Sequence, residues 1–96
     1  MRLIWSRPAL DDLRGINDYL RQHDPKAAIT ALRAINAKAK LLRRFPGLGP
    51  PVDETRRYVS VSRTTYVLVY AIKRDRVEIH RIYDSRQDWL SGAERT

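Results

Sequence analysis

The chain lacks cysteine altogether and has only two histidines, and these shortages exclude several kinds of site. Without cysteine there is neither a disulfide framework nor a thiolate zinc site, so packing must hold the core. His23 and His80 lie on different predicted elements, whereas zinc takes three or four convergent ligands. We therefore expect no metal and no cofactor. The lack of cysteine also fits a reducing cytoplasm.

The sequence has no long hydrophobic run either. Its longest apolar stretch, YVLVYAI at 66–72, is far shorter than the roughly 20 residues that cross a bilayer. The amino-terminal residues do not form a secretory signal. The GLG at 47–49 precedes two prolines rather than a helix, which makes it a turn and not a phosphate-binding loop. No serine lies in a nucleophile elbow. We expect a cytoplasmic protein without a membrane partner.

The 96 residues, 43% of them hydrophobic, fit a single domain spanning 1–96 with one modest core. The formal net charge is +8, and the basic excess is spread along the chain. Such a surface favours encounters with polyanions, which include nucleic acid, ribosomes and acidic proteins. The alternative is charge that serves solubility alone.

Two helices are predicted after a short strand, RLIW at 2–5. Ser6 caps the first helix, Pro8 lies in its first turn, and an apolar stripe follows at helical spacing: Ala9, Leu13, Ile16 and Leu20. Asp24 and Pro25 begin the second helix, which ends at RRFPG. The short connection predicts an antiparallel helical hairpin.

Beyond residue 50 the hydrophobic period becomes that of strands. RYVSVS, TYVLVYAIK and RVEIHRIY are the strand candidates, and the middle one is apolar on both faces, so it should lie inside the sheet. The predicted fold class is α+β: a strand, an antiparallel helical hairpin, then a three-stranded antiparallel meander.

Residues that could carry chemistry gather on the strands and at the end of the last one: Arg63, Tyr66, His80, Arg81, Tyr83, Asp84, Arg86, Asp88 and Trp89. Metal-free RNA cleavage needs a base, an acid and cations, and His80 alone has an ordinary pKa near neutrality. Regular alternation would place His80 on one face with Glu78 and Ile82, and Arg81 and Tyr83 on the other.

Each of these residues also has a structural interpretation. His80 could be a locally satisfied strand residue, and Arg81 and Arg86 could be solvent-exposed or paired with Asp84 and Asp88. A single tryptophan is usually a packing residue, so Trp89 is expected to close the open end of the core.

Four segments in this order resemble the RelE/ParE superfamily of toxins from bacterial toxin–antitoxin pairs: RPALDDLRGINDYL, FPGLGPP, YVLVYAI and VEIHRIYDSRQDW. The closing segment is similar to the ParE branch, although Tyr83 stands where that branch commonly has histidine. RelE-like nucleases tend to have a catalytic arginine where this chain has Val67, while their late arginine could match Arg86.

The resemblance implies a growth-inhibiting toxin that poisons DNA gyrase and is neutralised by a cognate antitoxin. The target-binding residues are then Arg63, Arg81, Tyr83 and Arg86. The alternatives are a ribosome-dependent mRNA endoribonuclease, using Arg86, Arg81, Tyr83 and His80 for catalysis, and a non-toxic antitoxin-binding member. The resemblance also implies that an acidic or amphipathic carboxyl-terminal antitoxin segment binds at Leu13, Ile16 and Leu20.

Overall fold

The computed structural model describes residues 1–90, in which two helices cover one face of a four-stranded sheet. The elements are β1 (Arg2–Trp5), α1 (Arg7–His23), α2 (Pro25–Arg44), β2 (Arg57–Ser60), β3 (Tyr66–Ile72) and β4 (Arg76–Asp84). This arrangement confirms the predicted α+β class, the helical hairpin and the meander. Within the described residues no helix is long and apolar enough to cross a membrane.

Both helices begin at the predicted capping residues. The Ser6 hydroxyl accepts a hydrogen bond from the Ala9 amide at 3.1 Å and donates one to the His80 carbonyl at 2.8 Å. The Asp24 carboxylate caps α2 by accepting from the Lys26 amide at 3.0 Å. Each cap satisfies an amide that has no partner inside its helix, which fixes the start of the helix.

The strand order is β1-β4-β3-β2, with β1 parallel to β4 and the other neighbours antiparallel. β3 therefore lies inside the sheet, as predicted. β1 ends at Trp5, whose partner on β4 is Ile79. Beyond Ile79, no strand of residues 1–90 pairs with the outer edge of β4, and α1 takes the place of a neighbour there.

The core lies between the helical hairpin and the sheet. Its largest fully buried side chains are Tyr70, Ile35, Leu42, Leu68 and Ile79. Leu13 and Ile16 are half-buried and pack against this core. Most of the predicted apolar stripe of α1 therefore packs against the protein's own sheet.

A β-bulge in β4 corrects the predicted faces of that strand. Val69 pairs with Arg81, but the next residue, Tyr70, pairs with Ile79, so His80 is the extra residue. Ile82 consequently joins Ile79 in the core on the helix side. The expectation that His80 shares a face with Ile82, opposite Arg81 and Tyr83, was wrong, because it assumed unbroken alternation.

The connector between α2 and β2, residues 45–56, is fixed to the core by one tyrosine. The buried Tyr70 hydroxyl donates to the Pro46 carbonyl at 2.7 Å and accepts from the Gly49 amide at 3.0 Å. Arg57 then donates to the Gly49 carbonyl at 2.7 Å. These contacts hold the connector against β2 and β3, and Gly49 is buried as a result.

Candidate functional site

The structure divides the predicted site residues between two surfaces. Arg63 and Arg86 line a groove on the helix side of the sheet end. His80 and Arg81 border a different hollow, beside Ser6 and Arg56. Because the bulge turns His80, Arg81 and Tyr83 away from the core, these three residues belong to the sheet face that carries no helix.

The end groove is defined here as the groove of about 660 Å³ between the connected ends of α1 and α2 and the turn from β2 to β3. Its apolar lining comes from Leu20, Ala27, Ala31 and the rings of Tyr19 and Tyr66, and its basic lining from His23, Lys26, Arg63 and Arg86. Asp24 is the acidic residue of this lining. The groove therefore suits an apolar segment that carries negative charge.

Local backbone structure places Arg63 at the rim of the end groove. Its φ of 64° lies in the left-handed region, which is uncommon for a residue with a side chain. The turn is stabilised because the Thr64 amide and hydroxyl both donate to the Val61 carbonyl, at 3.2 and 2.8 Å. Among residues 1–90 Arg63 makes no ion pair, so its charge faces the solvent.

Arg86 is held at the other side of the end groove by Asp84. Its Nη2 lies 2.6 Å from Asp84 Oδ2, and its Nε lies 3.0 Å from Asp84 Oδ1. These bonds lower the pKa of Asp84 to about 2, so the pair stays ionised at neutral pH. The Arg86 side chain is nonetheless 68% exposed and can meet a partner. Burial and the nearby Asp84 charge raise the pKa of the Tyr66 hydroxyl, which keeps it protonated.

A second groove, named here the edge groove, continues the first along the unpaired edge of β4. It has a volume of about 500 Å³ and shares Tyr19, Tyr66 and Arg86 with the end groove. Its apolar lining includes Ile16 and Ile82. Of the three residues expected to bind an antitoxin, Leu20 lines the end groove, Ile16 lines the edge groove, and Leu13 lines neither.

Arg81 lies on the sheet face without helices, but its side chain reaches the edge of β4, where Asp12 of α1 binds it. Its Nε and Nη2 donate to the two Asp12 oxygens at 2.7 and 3.1 Å, and these bonds raise the pKa of Arg81. Of the pairings considered for Arg81 and Arg86, that of Arg86 with Asp84 is confirmed, whereas the carboxylate that binds Arg81 is Asp12, 69 residues away. The Arg81 guanidinium also lies 5.0 Å from the centre of the Tyr83 ring.

Trp89 covers part of the same face. Its ring lies 5.1 Å from the ring of Tyr58 and 5.9 Å from that of Tyr83. Trp89 is a packing residue as predicted, but it packs on the helix-free side of the sheet and not at the end of the core. The bulge and the turn after β4 bring these three rings together.

This geometry supports binding better than acid–base chemistry. His80 Nε2 lies 3.1 Å from Glu78 Oε1, and Arg81 and Arg86 are each held by a carboxylate. General acid–base catalysis requires proton carriers that converge on one substrate position. Here His80 and Arg86 lie on different surfaces. Within residues 1–90 no group of three or more His, Asp or Glu side chains could hold a metal ion.

Sequence reasoning missed Tyr19, Tyr58 and Asp12 as site residues. Asp12 lies four residues before Ile16, at the flank of the apolar stripe, and this spacing could have placed it near the sheet. Tyr19 lies three residues after Ile16 and could have been found in the same way. Tyr58 gave no comparable signal, because its contact with Trp89 depends on tertiary structure.

Known protein families and solved structures include relatives of this chain. The family model described as the ParE toxin of the type II toxin–antitoxin system parDE matches residues 3–89. Among solved structures, the chain is similar to one described as the chromosomal ParDE toxin–antitoxin system from P. aeruginosa. The two are 26% identical with a TM-score of 0.78, over 88% of this chain and 95% of the other. No curated protein sequence matches this chain.

Proposed function

The chain belongs to the ParE toxin family of type II toxin–antitoxin systems, and from this premise we propose that it inhibits growth by poisoning DNA gyrase and is neutralised by a cognate antitoxin. The family membership confirms the resemblance found in the sequence. A gyrase target implies that the toxin acts in the cytoplasm.

The candidate catalytic residues lie apart from one another, and this separation favours a binding poison over a nuclease. Arg81 and Arg86 are paired with different carboxylates, Asp12 and Asp84, and His80 lies on a different surface from Arg86. A nuclease would need these cations directed at the transition-state charge. A binding poison needs only a complementary surface, which the exposed Arg63 and Arg86 of the end groove supply.

We expect purified toxin to inhibit gyrase supercoiling and to trap cleaved DNA. Changing Arg63→Gln together with Arg86→Gln should weaken inhibition at least tenfold, because arginines at a contact centre commonly contribute more than 1 kcal/mol each. Arg7→Gln with Arg14→Gln is the matched control, since it removes the same charge from exposed arginines of α1 outside both grooves. The control should inhibit like the wild type.

Unchanged supercoiling at a toxin excess over gyrase would contradict the proposed target. In that case, mapping transcripts after induction tests the alternative: cleavage of ribosome-bound mRNA would identify a RelE-like nuclease. If growth continues on induction without the neighbouring gene, the chain is a non-toxic antitoxin-binding member.

The end groove also supports a proposal for the antitoxin. A carboxyl-terminal segment that is acidic and amphipathic could place apolar side chains against Leu20 and Tyr66 and acids near Lys26, Arg63 and Arg86. It would then cover the two arginines proposed to bind the target. Neutralisation would follow from occlusion, without a change in the toxin's fold.

We expect Leu20→Ala to speed dissociation of the antitoxin at least tenfold, because buried apolar anchors control residence while rim charges control association. Leu10→Ala is the matched control, as Leu10 is an exposed leucine of α1 outside both grooves. Raising the salt concentration should slow association without separating the complex. Surface plasmon resonance measures both rates, and complete separation at moderate salt would show that the contact is mainly electrostatic.

A further inference from the structure

The charges of the protein are distributed unequally between its two helices. α2 contains six Lys and Arg residues and no acid, although the whole chain has a net charge of only +8. α1 contains three Arg and three Asp. Neither groove explains this difference, since Lys26 is the only basic residue of α2 that lines one of the two.

Four of the six basic residues form a straight row on the exposed side of α2. Lys26, Arg33 and Lys40 are spaced by seven residues, and Arg44 follows four residues later. At 3.6 residues per turn and 1.5 Å per residue, these positions stay within about 40° of one line and span about 27 Å. All four side chains are exposed. We refer to them as the cationic row.

Within residues 1–90, no carboxylate neutralises the cationic row. In the described part of the chain, none of the six basic residues of α2 takes part in an ion pair. The two outside the row have neutral partners: Lys38 Nζ lies 3.5 Å from Ser62 Oγ, and Arg43 Nε donates to the Met1 carbonyl at 3.0 Å.

α1 provides an internal comparison. Arg7, Arg14 and Arg21 have the same seven-residue spacing. Asp11, however, lies 3.8 Å from Arg7 and 3.9 Å from Arg14, and Asp18 stands between Arg14 and Arg21 in sequence. The same spacing is thus electrically balanced on α1 and unbalanced on α2.

We propose that the cationic row is a binding site for the phosphate backbone of double-stranded DNA. A duplex carries about one negative charge per 1.7 Å, so a rigid row of about 27 Å meets many phosphates at once and releases their counterions. Such binding needs Lys and Arg alone and is independent of base sequence. The inference does not depend on gyrase being the target.

The surroundings of the row favour a duplex over other polyanions. Between its members the other exposed residues are Thr30, Asn36, Ala37, Arg43 and two large apolar residues, Ile29 and Leu41, which lie 12 positions apart. A lasting contact with an acidic protein would need more apolar anchors than this. Single-stranded nucleic acid binds by stacking successive bases on aromatic rings, and the row has one ring only at its end, that of Phe45, which lies 5.7 Å from the Arg44 guanidinium.

The test compares two triple variants of the full chain, each of which removes three positive charges. The row variant is Arg33→Gln, Lys40→Gln and Arg44→Gln, and the control is Arg7→Gln, Arg14→Gln and Arg21→Gln. Glutamine preserves helix propensity at exposed sites, and circular dichroism checks both folds. Fluorescence anisotropy with a labelled 20-base-pair duplex of arbitrary sequence is measured over a range of salt concentrations.

We expect the row variant to lose at least tenfold in affinity and its slope of log K against log salt to fall by about 3. The control should change affinity less than threefold. Equal losses in both variants, or no duplex binding by the wild type at low salt, would overturn the proposal. The proposal would also be overturned if the row variant bound the duplex normally but no longer bound a poly-glutamate peptide. Gyrase is absent from this assay, so a negative result leaves the proposed function standing.

Discussion

Replacing Gly49 with alanine is expected to destabilise the protein by about 3 kcal/mol or more. A Cβ atom at this position would lie 1.8 Å from the Tyr58 carbonyl oxygen and 2.7 Å from its carbon. Both contacts are with backbone, so no side-chain rotation relieves them. The connector or β2 must move instead, which breaks the bonds of Gly49 to Tyr70 and Arg57.

Gly47→Ala is the matched control for this prediction. The two glycines are two residues apart in the same connector, but a Cβ at Gly47 meets nothing within 4 Å. Neither glycine has a positive φ, so the expected difference comes from close approach and not from backbone conformation. Urea unfolding of both variants measures it. Equal stabilities would show that the connector yields at little cost.

The helices could be predicted because their signals are local. Ser6, Asp24 and Pro25 mark the helix starts through bonds within a few residues, and the structure has each cap where the sequence indicated it. The inner position of β3 was predictable for a similar reason, since a strand that is apolar on both faces must be covered on both. The α+β class follows from the order of these elements.

The bulge in β4 could not be predicted from alternation. It depends on the pairing of β4 with β3 on one side and on the end of its pairing with β1 on the other. Both are properties of the assembled sheet. One extra residue at His80 reverses the faces of everything after it. Regular alternation therefore assigned Ile82 to the wrong face.

The candidate site was predictable in its composition but not in its arrangement. Arg63, Arg81, Tyr83 and Arg86 appeared to be one cluster because all belong to neighbouring strands or the ends of strands. The sheet separates them, since Arg86 turns back to Asp84 on the helix side while Arg81 reaches Asp12. The partner of Arg81 is 69 residues away, beyond any pattern of local spacing.

Asp12 is expected to be the most important single acid for stability. Its carboxylate accepts three hydrogen bonds: two from Arg81, and one from the Ile82 amide at 2.9 Å. That amide faces the edge of β4 where β1 has already ended, so the side chain replaces the missing strand. Asp12→Ala would leave the amide without its partner, which costs about 1–3 kcal/mol, and Arg81 without its counter-charge.

We expect Asp12→Ala to lower the free energy of unfolding by about 2–3 kcal/mol. The Arg81 side chain is 39% exposed, so solvent screening keeps the contribution of the ion pair itself modest. Asp11→Ala is the matched control, because its carboxylate is 57% exposed and lies 3.8 Å or more from its arginine partners. It should cost less than about 0.5 kcal/mol.

Asp12→Asn separates the two contributions, since its amide oxygen can still accept from Ile82 while its charge is gone. It should recover more than half of the stability lost in Asp12→Ala if the strand-edge bond dominates. Amide hydrogen exchange at Ile82 provides a second measurement, which should accelerate in Asp12→Ala and stay protected in Asp12→Asn. If both variants are equally destabilised and both lose protection at Ile82, the ion pair with Arg81 holds this edge and the backbone bond is secondary.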